Sequence, residues 1–146
     1  EGSDVEVPVI TCGGRPAILP MMLFRQADPA HLRTYFEKRD LVKREAKYSL
    51  DPFDDPAICA EISGYTRAMA DAFFPFDYGR FELRLDERTG HVTFLEVNLN
   101  CNLWSEKVFG RSAALIGWEH RDLIETILCE SLRRHGLIEA RELVAA

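Results

Sequence analysis

The stretch that decides the fold is Asp77-Tyr78-Gly79-Arg80-Phe81-Glu82-Leu83-Arg84-Leu85-Asp86-Glu87-Arg88-Thr89-Gly90-His91-Val92-Thr93-Phe94-Leu95-Glu96-Val97-Asn98. Phe81, Leu83 and Leu85 alternate with Arg80, Glu82, Arg84 and Asp86. Beyond Arg88-Thr89-Gly90, Thr93, Leu95 and Val97 alternate with Val92, Phe94, Glu96 and Asn98. Two period-two runs about a glycine-bearing turn predict a β-hairpin, with Gly90 in the left-handed position of a three-residue loop. That closure sets Leu85 opposite Thr93, Glu82 opposite Glu96 and Arg80 opposite Asn98. Residues directly opposite share a face, so Phe81, Leu83, Leu85, Leu95 and Val97 are expected in the core. Arg80, Glu82, Glu96 and Asn98 gather on the other side.

Two carboxylates facing each other across a sheet repel, and a divalent cation is the simplest reason to keep them there. Magnesium prefers hard oxygen ligands, commonly one or two carboxylates together with phosphate oxygens. Asn98 adds an amide oxygen on the same face. Arg80 adds a permanent cation suited to phosphate or a developing oxyanion. The group reads as a metal–phosphate platform. The plainer alternative is the solvated side of a hairpin with Arg–Glu cross-strand pairs.

Outward from the hairpin, Val5, Val7, Val9 and Ile10 form a strand pattern, with Pro8 pointing to an edge or irregular strand. Cys12-Gly13-Gly14-Arg15-Pro16 is a turn, and the apolar run from Ala17 to Phe24 closes a second hairpin. Asp28 to Asp40 is polar and suits a short helix. Ile58, Ile62, Tyr65, Met69 and Phe73 repeat at helical spacing up to Phe74-Pro75. Further helices are predicted from about Ser105 to Ile116 and from about Glu119 to His135. The last would bury Leu123, Ile124, Ile127, Leu128 and Leu132, and Gly117 and Gly136 act as stops. Trp104 and Trp118 are read as core anchors, and the histidines as surface residues. The fold class is α+β: an antiparallel sheet with flanking helices.

Composition sets the outer limits. The chain has 146 residues, 47% of them hydrophobic, and a formal charge of −6. That suffices for one domain with a core and disfavours nucleic acid, which selects basic surfaces. No apolar run approaches the ~20 residues of a bilayer span, so no membrane partner is expected. Cys12, Cys59, Cys101 and Cys129 lie far apart without a CxxC pair. They are read as reduced thiols in a cytoplasmic protein. Cys101 sits beside the platform, but no histidine stands near it to activate a nucleophile. Gly13-Gly14 lacks the Gly-Lys-Ser/Thr of a phosphate loop. The opening Glu1-Gly2-Ser3-Asp4, with no methionine, predicts a piece of a larger protein.

Four stretches in order resemble the C-terminal catalytic half of the ATP-grasp ligases, closest to the D-alanine–D-alanine ligase branch. They are Gly2-Ser3-Asp4-Val5-Glu6-Val7, Glu45-Ala46-Lys47-Tyr48, the hairpin from Asp77 to Asn98, and Trp118 to Leu128. The resemblance implies ATP and Mg2+ (or Mn2+) as cofactors and a small amino-acid or peptide-like substrate. It implies ATP-dependent joining of a carboxylate to an amine through an acyl phosphate. Glu82, Glu96 and Asn98 would hold metal, and Arg80 would lie beside the transferring phosphoryl group. Lys47 would reach the γ-phosphate or a substrate carboxylate, with Tyr48 beside it, and Asp4 would face the ribose. Asn100, Asn102 and Ser105 would border the substrate. On this reading 1–146 is a single domain, and the N-terminal substrate domain and the nucleotide-covering subdomain lie outside it. The alternative is a binding module of the same fold that uses its acidic face for a cation without turnover. Two departures stand out. The family usually has Asp where Glu82 stands, and its small Pro-Gly loop is here Asn100-Cys101-Asn102-Leu103-Trp104, a different substrate border.

Overall fold

In a computed structural model the protein is described over residues 2–26 and 48–139. The predicted helix within Asp28 to Asp40, His31 and the Glu45-Ala46-Lys47 part of the lid-like motif fall outside these residues.

The elements in chain order are β1 (Ser3–Cys12), β2 (Arg15–Ile18), β3 (Met22–Gln26), β4 (Tyr48–Pro52), α1 (Pro56–Phe73), β5 (Tyr78–Leu85), β6 (Val92–Asn98), α2 (Val108–Leu115) and α3 (His120–Arg134). All strand pairs are antiparallel, and the sheet runs β4-β3-β1-β5-β6, with β2 pairing the far end of β1. The α+β class expected from the sequence is what the chain adopts.

β1 lies in the middle of the sheet, although Pro8 suggested an edge. The Pro8 carbonyl accepts from the Leu19 amide at 2.9 Å. Leu19 sits in the break between β2 and β3. In a strand a residue's N and C=O point the same way, so the missing proline donor faces that break, where no ladder bond is lost. The adjoining turn is tight, with Gly13 and Gly14 at φ of 63° and 73°. Their amides donate to the Glu130 carboxylate of α3 at 3.2 and 3.1 Å.

One sheet face is apolar. Val5, Val7, Val9, Leu23, Phe81, Leu83 and Leu85 are buried there with Ile62 and Ala70 of α1. Asp55 caps α1, accepting from the Ala57 and Ile58 amides. The most buried residues of α1 are Ile62, Thr66 and Ala70; Ile58 and Met69 pack beside them and the Phe73 ring lies against Phe81, whereas Tyr65 is exposed. Within the predicted stripe Tyr65 is the residue that lies off the packed face.

The other sheet face is divided. At the Ile10 end, Ile10 and Leu19 meet Phe109, Ala113, Leu123 and Ile127 of α2 and α3; on the β3–β4 side, Met22, Phe24 and Leu50 meet Val108. α2 begins at Val108, not Ser105. The chain before the helix packs closely on its first turn: a Cβ on Gly110 would come within 2.2 Å of the Ser105 carbonyl, so glycine is required there. α3 starts with a reciprocal capping box between Glu119 and Asp122. Leu123 and Ile127 are buried as expected, while Leu128 is exposed. Trp118 packs on the α2–α3 core, but Trp104 is exposed, contrary to its reading as an anchor.

Candidate functional site

The site lies on the polar part of that second face, where β1, β5 and β6 run side by side. Its geometry follows from a turn and a bulge that offset each other. The Asp86 amide donates to the His91 carbonyl at 2.9 Å. The loop therefore holds four residues rather than three, and Leu85 pairs with Val92, not Thr93. Gly90 still takes the left-handed conformation, at φ 74°. β6 then carries one extra residue: Leu83 pairs with Phe94, whereas Glu82 pairs with Glu96. Leu95 is the bulged residue, and it is exposed instead of buried in the core as predicted. Beyond the bulge the expected register returns, with Glu82 opposite Glu96, Phe81 opposite Val97 and Arg80 opposite Asn98.

β1 extends both rows. Glu6 pairs with Glu82 and Pro8 with Arg80, so Glu6, Glu82 and Glu96 stand in line across three strands. Asp4 pairs with Arg84 one step along. Glu6 and Glu82 are each 1% exposed, whereas Glu96 is exposed on the edge strand and Asn98 is half-buried.

Burial makes charge compensation decisive. The Arg80 guanidinium donates to Glu82 Oε1 from Nε at 2.9 Å and also from Nη2, and Nε lies 3.6 Å from Glu6 Oε2. Burial alone would lower the Arg80 pKa, but the Glu6 and Glu82 carboxylates outweigh it and hold the group above its ordinary value. Arg84 Nη1 bonds Asp4 Oδ1 at 2.7 Å, so Asp4 is buried in an ion pair at the place the resemblance gives to the ribose.

The polar loop continues the face. Asn98 Oδ1 accepts from the Asn100 amide at 2.9 Å, and Asn102 Oδ1 from the Trp104 amide at 2.6 Å. These bonds shape two successive turns. Asn100 and Asn102 are exposed and Ser105 is half-buried. Tyr48 opens β4 opposite Gln26. Lys47 lies outside the described residues.

Cys101 is buried within this loop, and burial pushes its thiol up to about 11, against a partial lowering by Arg80. A thiol that stays protonated near neutrality is a poor nucleophile, which agrees with the sequence reading. Alkylation at stepped pH, followed by peptide mapping, will show exposed Cys12 labelled near neutrality. Cys101 will be labelled only as the pH nears 11 or after unfolding. The ordinary thiol value is 9.0, so the unfolded chain loses this proton first. The thiol's contribution to stability is therefore complete below about pH 9 and falls as pH rises toward 11.

Among the described residues no three His, Cys, Asp or Glu side chains are gathered closely enough to form a metal cage. The donors present suit a different kind of site. Glu82, Glu96 and Asn98 offer hard oxygens in two adjacent rows of one hairpin. Magnesium commonly takes one or two carboxylates and completes its shell with water and phosphate oxygens. The residues therefore fit a cation that arrives with a nucleotide, not one held by protein alone.

The hairpin residues Arg80, Glu82, Glu96 and Asn98 come together as predicted. Glu6 and Arg84 were missed. The alternation Asp4-Val5-Glu6-Val7 was legible as a polar face opposite the valines. What brings that face to Arg80 is the long-range β1–β5 pairing, which no local pattern announces.

No protein-family model matches the sequence, and no curated protein matches it. Solved structures do match. D-alanine–D-alanine ligase from Bacillus anthracis complexed with ATP is 18% identical, with a TM-score of 0.69, and the match covers 93% of this chain and 40% of that one. D-alanyl-alanine synthetase A from Vibrio cholerae is 13% identical, with a TM-score of 0.68, covering 91% of this chain and 39% of that one. The VanG D-Ala:D-Ser ligase from Enterococcus faecalis is 14% identical, with a TM-score of 0.63, covering 89% and 36% respectively. The chain thus spans about two fifths of the length of these structures. At such identities the likeness establishes the fold, and it is the D-alanine–D-alanine ligase-like ATP-grasp fold that the sequence resemblance implied.

Proposed function

We propose that this chain is the catalytic C-terminal part of an ATP- and Mg2+-dependent ligase that joins a carboxylate to an amine. The observation that carries the reading is the register of the hairpin. Arg80 and Glu82 stand opposite Asn98 and Glu96 on one face of a ligase-like fold. An acidic pair, an amide and a buried guanidinium suit phosphoryl transfer, where catalysis is largely positioning and charge stabilisation.

In this reading Glu82, Glu96 and Asn98 hold magnesium. When bound, the metal offsets the charge of the nucleotide phosphates and orients them. A substrate carboxylate oxygen attacks the γ-phosphorus, the bond to the bridging oxygen breaks, and ADP leaves. An amine then adds to the acyl carbon, and phosphate departs from the tetrahedral intermediate as the amine gives up a proton. Arg80 faces the charge that develops in both steps. It is held rigidly by its carboxylate partners, so little reorganisation is needed at the moment of reaction. Lys47 would reach the γ-phosphate or a substrate carboxylate, with Tyr48 beside it; Asp4 would border the ribose, and Asn100, Asn102 and Ser105 would border an amino-acid or peptide-like substrate. All four cysteines are free. No helix among the described residues is long and apolar enough to cross a membrane.

A second reading draws on the ion pairs themselves. Glu82 is bonded to Arg80 and Asp4 to Arg84, so the same face could bind a cation or nucleotide without turnover. The complete protein separates the two. ADP release will be Mg2+-dependent and will rise when the right member of a panel of amino acids and dipeptides is supplied. Binding of Mg·ATP with no ADP release across the panel would favour the binding module.

A further inference from the structure

Glu6 is a fully buried carboxylate to which the ligase reading gives no task. It stands between Val5 and Val7 on the site face of β1, in register with Glu82. Removing a carboxylate from water costs several kcal/mol unless a cation compensates it, so a buried Glu on a valine-rich strand needs a reason. The Arg80 guanidinium lies 3.6 Å away.

Arg80 therefore has carboxylates on two sides, and they are not equivalent. Glu82 is bonded closely to Arg80 and is also a proposed magnesium ligand. Glu6 belongs to β1, on the side of β5 away from β6, which carries Glu96 and Asn98. A cation drawn to Glu82, Glu96 and Asn98 competes for the oxygen that Arg80 uses and repels the guanidinium. An Arg80 with Glu82 as its sole anchor would be pushed off the site just as the nucleotide arrives. A second carboxylate on the far side prevents that. No third acidic side chain joins a metal cage among the described residues, which argues against Glu6 as another ligand.

We propose that Glu6 is a positioning residue: it retains the Arg80 guanidinium over the site when Glu82 turns to magnesium. The proposal rests on the ligase reading, and its test separates the two. In the complete protein, Glu6→Gln keeps the size of the side chain and removes its charge. We expect kcat to fall about 10- to 100-fold, the usual range for a residue that orients another. Binding of Mn2+·ADP, followed by electron paramagnetic resonance, will stay within about twofold of the parent. Glu6→Asp will recover part of the loss. Glu82→Gln, by contrast, will weaken Mn2+·ADP binding about tenfold or more. An unchanged kcat in Glu6→Gln overturns the proposal. So does a loss of metal–nucleotide binding equal to that of Glu82→Gln, because Glu6 would then be a ligand.

A further readout works without turnover. The Arg80 Nε–H resonance, assigned by its loss in Arg80→Lys, is read in Glu82→Gln, which removes the carboxylate bonded to Nε; it will still exchange slowly there and faster once Glu6→Asp is added, a change that keeps a buried charge and so favours folding if Glu6→Gln does not fold. Protection unchanged when Glu6→Asp is added overturns the proposal. If the parent neither binds Mn2+·ADP nor releases ADP, the ligase reading fails by itself, and the Nε–H exchange alone decides whether Glu6 holds Arg80.

Discussion

Replacing Glu96 with Gln in the complete protein will lower Mg2+-dependent ATP turnover by about 10³-fold while shifting the folding free energy by about 0.5 kcal/mol or less. The two halves of this expectation come from the same observation. Glu96 is exposed on β6, the edge strand, and it faces the buried Glu82 across the hairpin. A substitution of equal size at an exposed edge position disturbs no packing, so stability hardly moves. As the proposed metal ligand Glu96 counts for more in turnover: charge stabilisation through a bound cation contributes several kcal/mol to a phosphoryl-transfer barrier, and each 1.36 kcal/mol is about tenfold in rate. Removing a like charge from opposite Glu82 also relieves cross-strand repulsion, which pushes stability slightly upward when no metal is bound. The measurements are steady-state ADP release over a Mg2+ series and a urea melt. Turnover within tenfold of the parent at saturating Mg2+ would remove Glu96 from the metal site and with it the central support for the ligase reading.

That Glu96 could be singled out from sequence reflects how the site is built. Its four central residues lie on one hairpin, and hairpins are written locally, in alternation and turn residues. Even so, the expected pairing survived through a cancellation. A four-residue loop moved the register by one, and the bulge at Leu95 moved it back before Glu96. Leu85 on the turn side of the bulge and Leu95 in the bulge itself record the error, whereas Glu82, Glu96, Arg80 and Asn98 do not. Pro8 misled for a related reason. Its chemistry was read correctly as a missing donor, but which neighbour the donor would have faced depends on where β2 ends and β3 begins. Glu6 and Arg84 were missed because their partners come from pairing between β1 and β5, distant in sequence. A polar face can be read from alternation, but what lies opposite it cannot. Burial of the carboxylates was also illegible, since alternating charge looks the same on a solvated hairpin and on a covered one.

Arg80→Ala will both destabilise the folded chain and lower its turnover, and the two effects can be told apart. Arg80 is itself mostly enclosed, and it lies between two carboxylates that are each 1% exposed. Deleting the cation leaves Glu6 and Glu82 facing each other across β1 and β5 without the guanidinium. Breaking a buried ion pair by removing one partner costs about 3–5 kcal/mol, because the remaining charge stays desolvated. A domain of ordinary stability has only about 5–15 kcal/mol in total, so the urea midpoint will drop sharply. Arg80→Lys will recover part of this, since it restores a charge but not the fork that reaches Nε and Nη2 contacts together. Activity follows a different rule. On the proposed reading the guanidinium faces charge that grows during transfer, so its loss will reduce kcat more than it weakens Mg·ATP binding. Both variants should therefore be assayed at a temperature where each is folded by circular dichroism. Equal losses in kcat and nucleotide affinity would make Arg80 a general anion contact. An unchanged kcat in folded Arg80→Ala would leave it a purely structural counter-ion for Glu6 and Glu82.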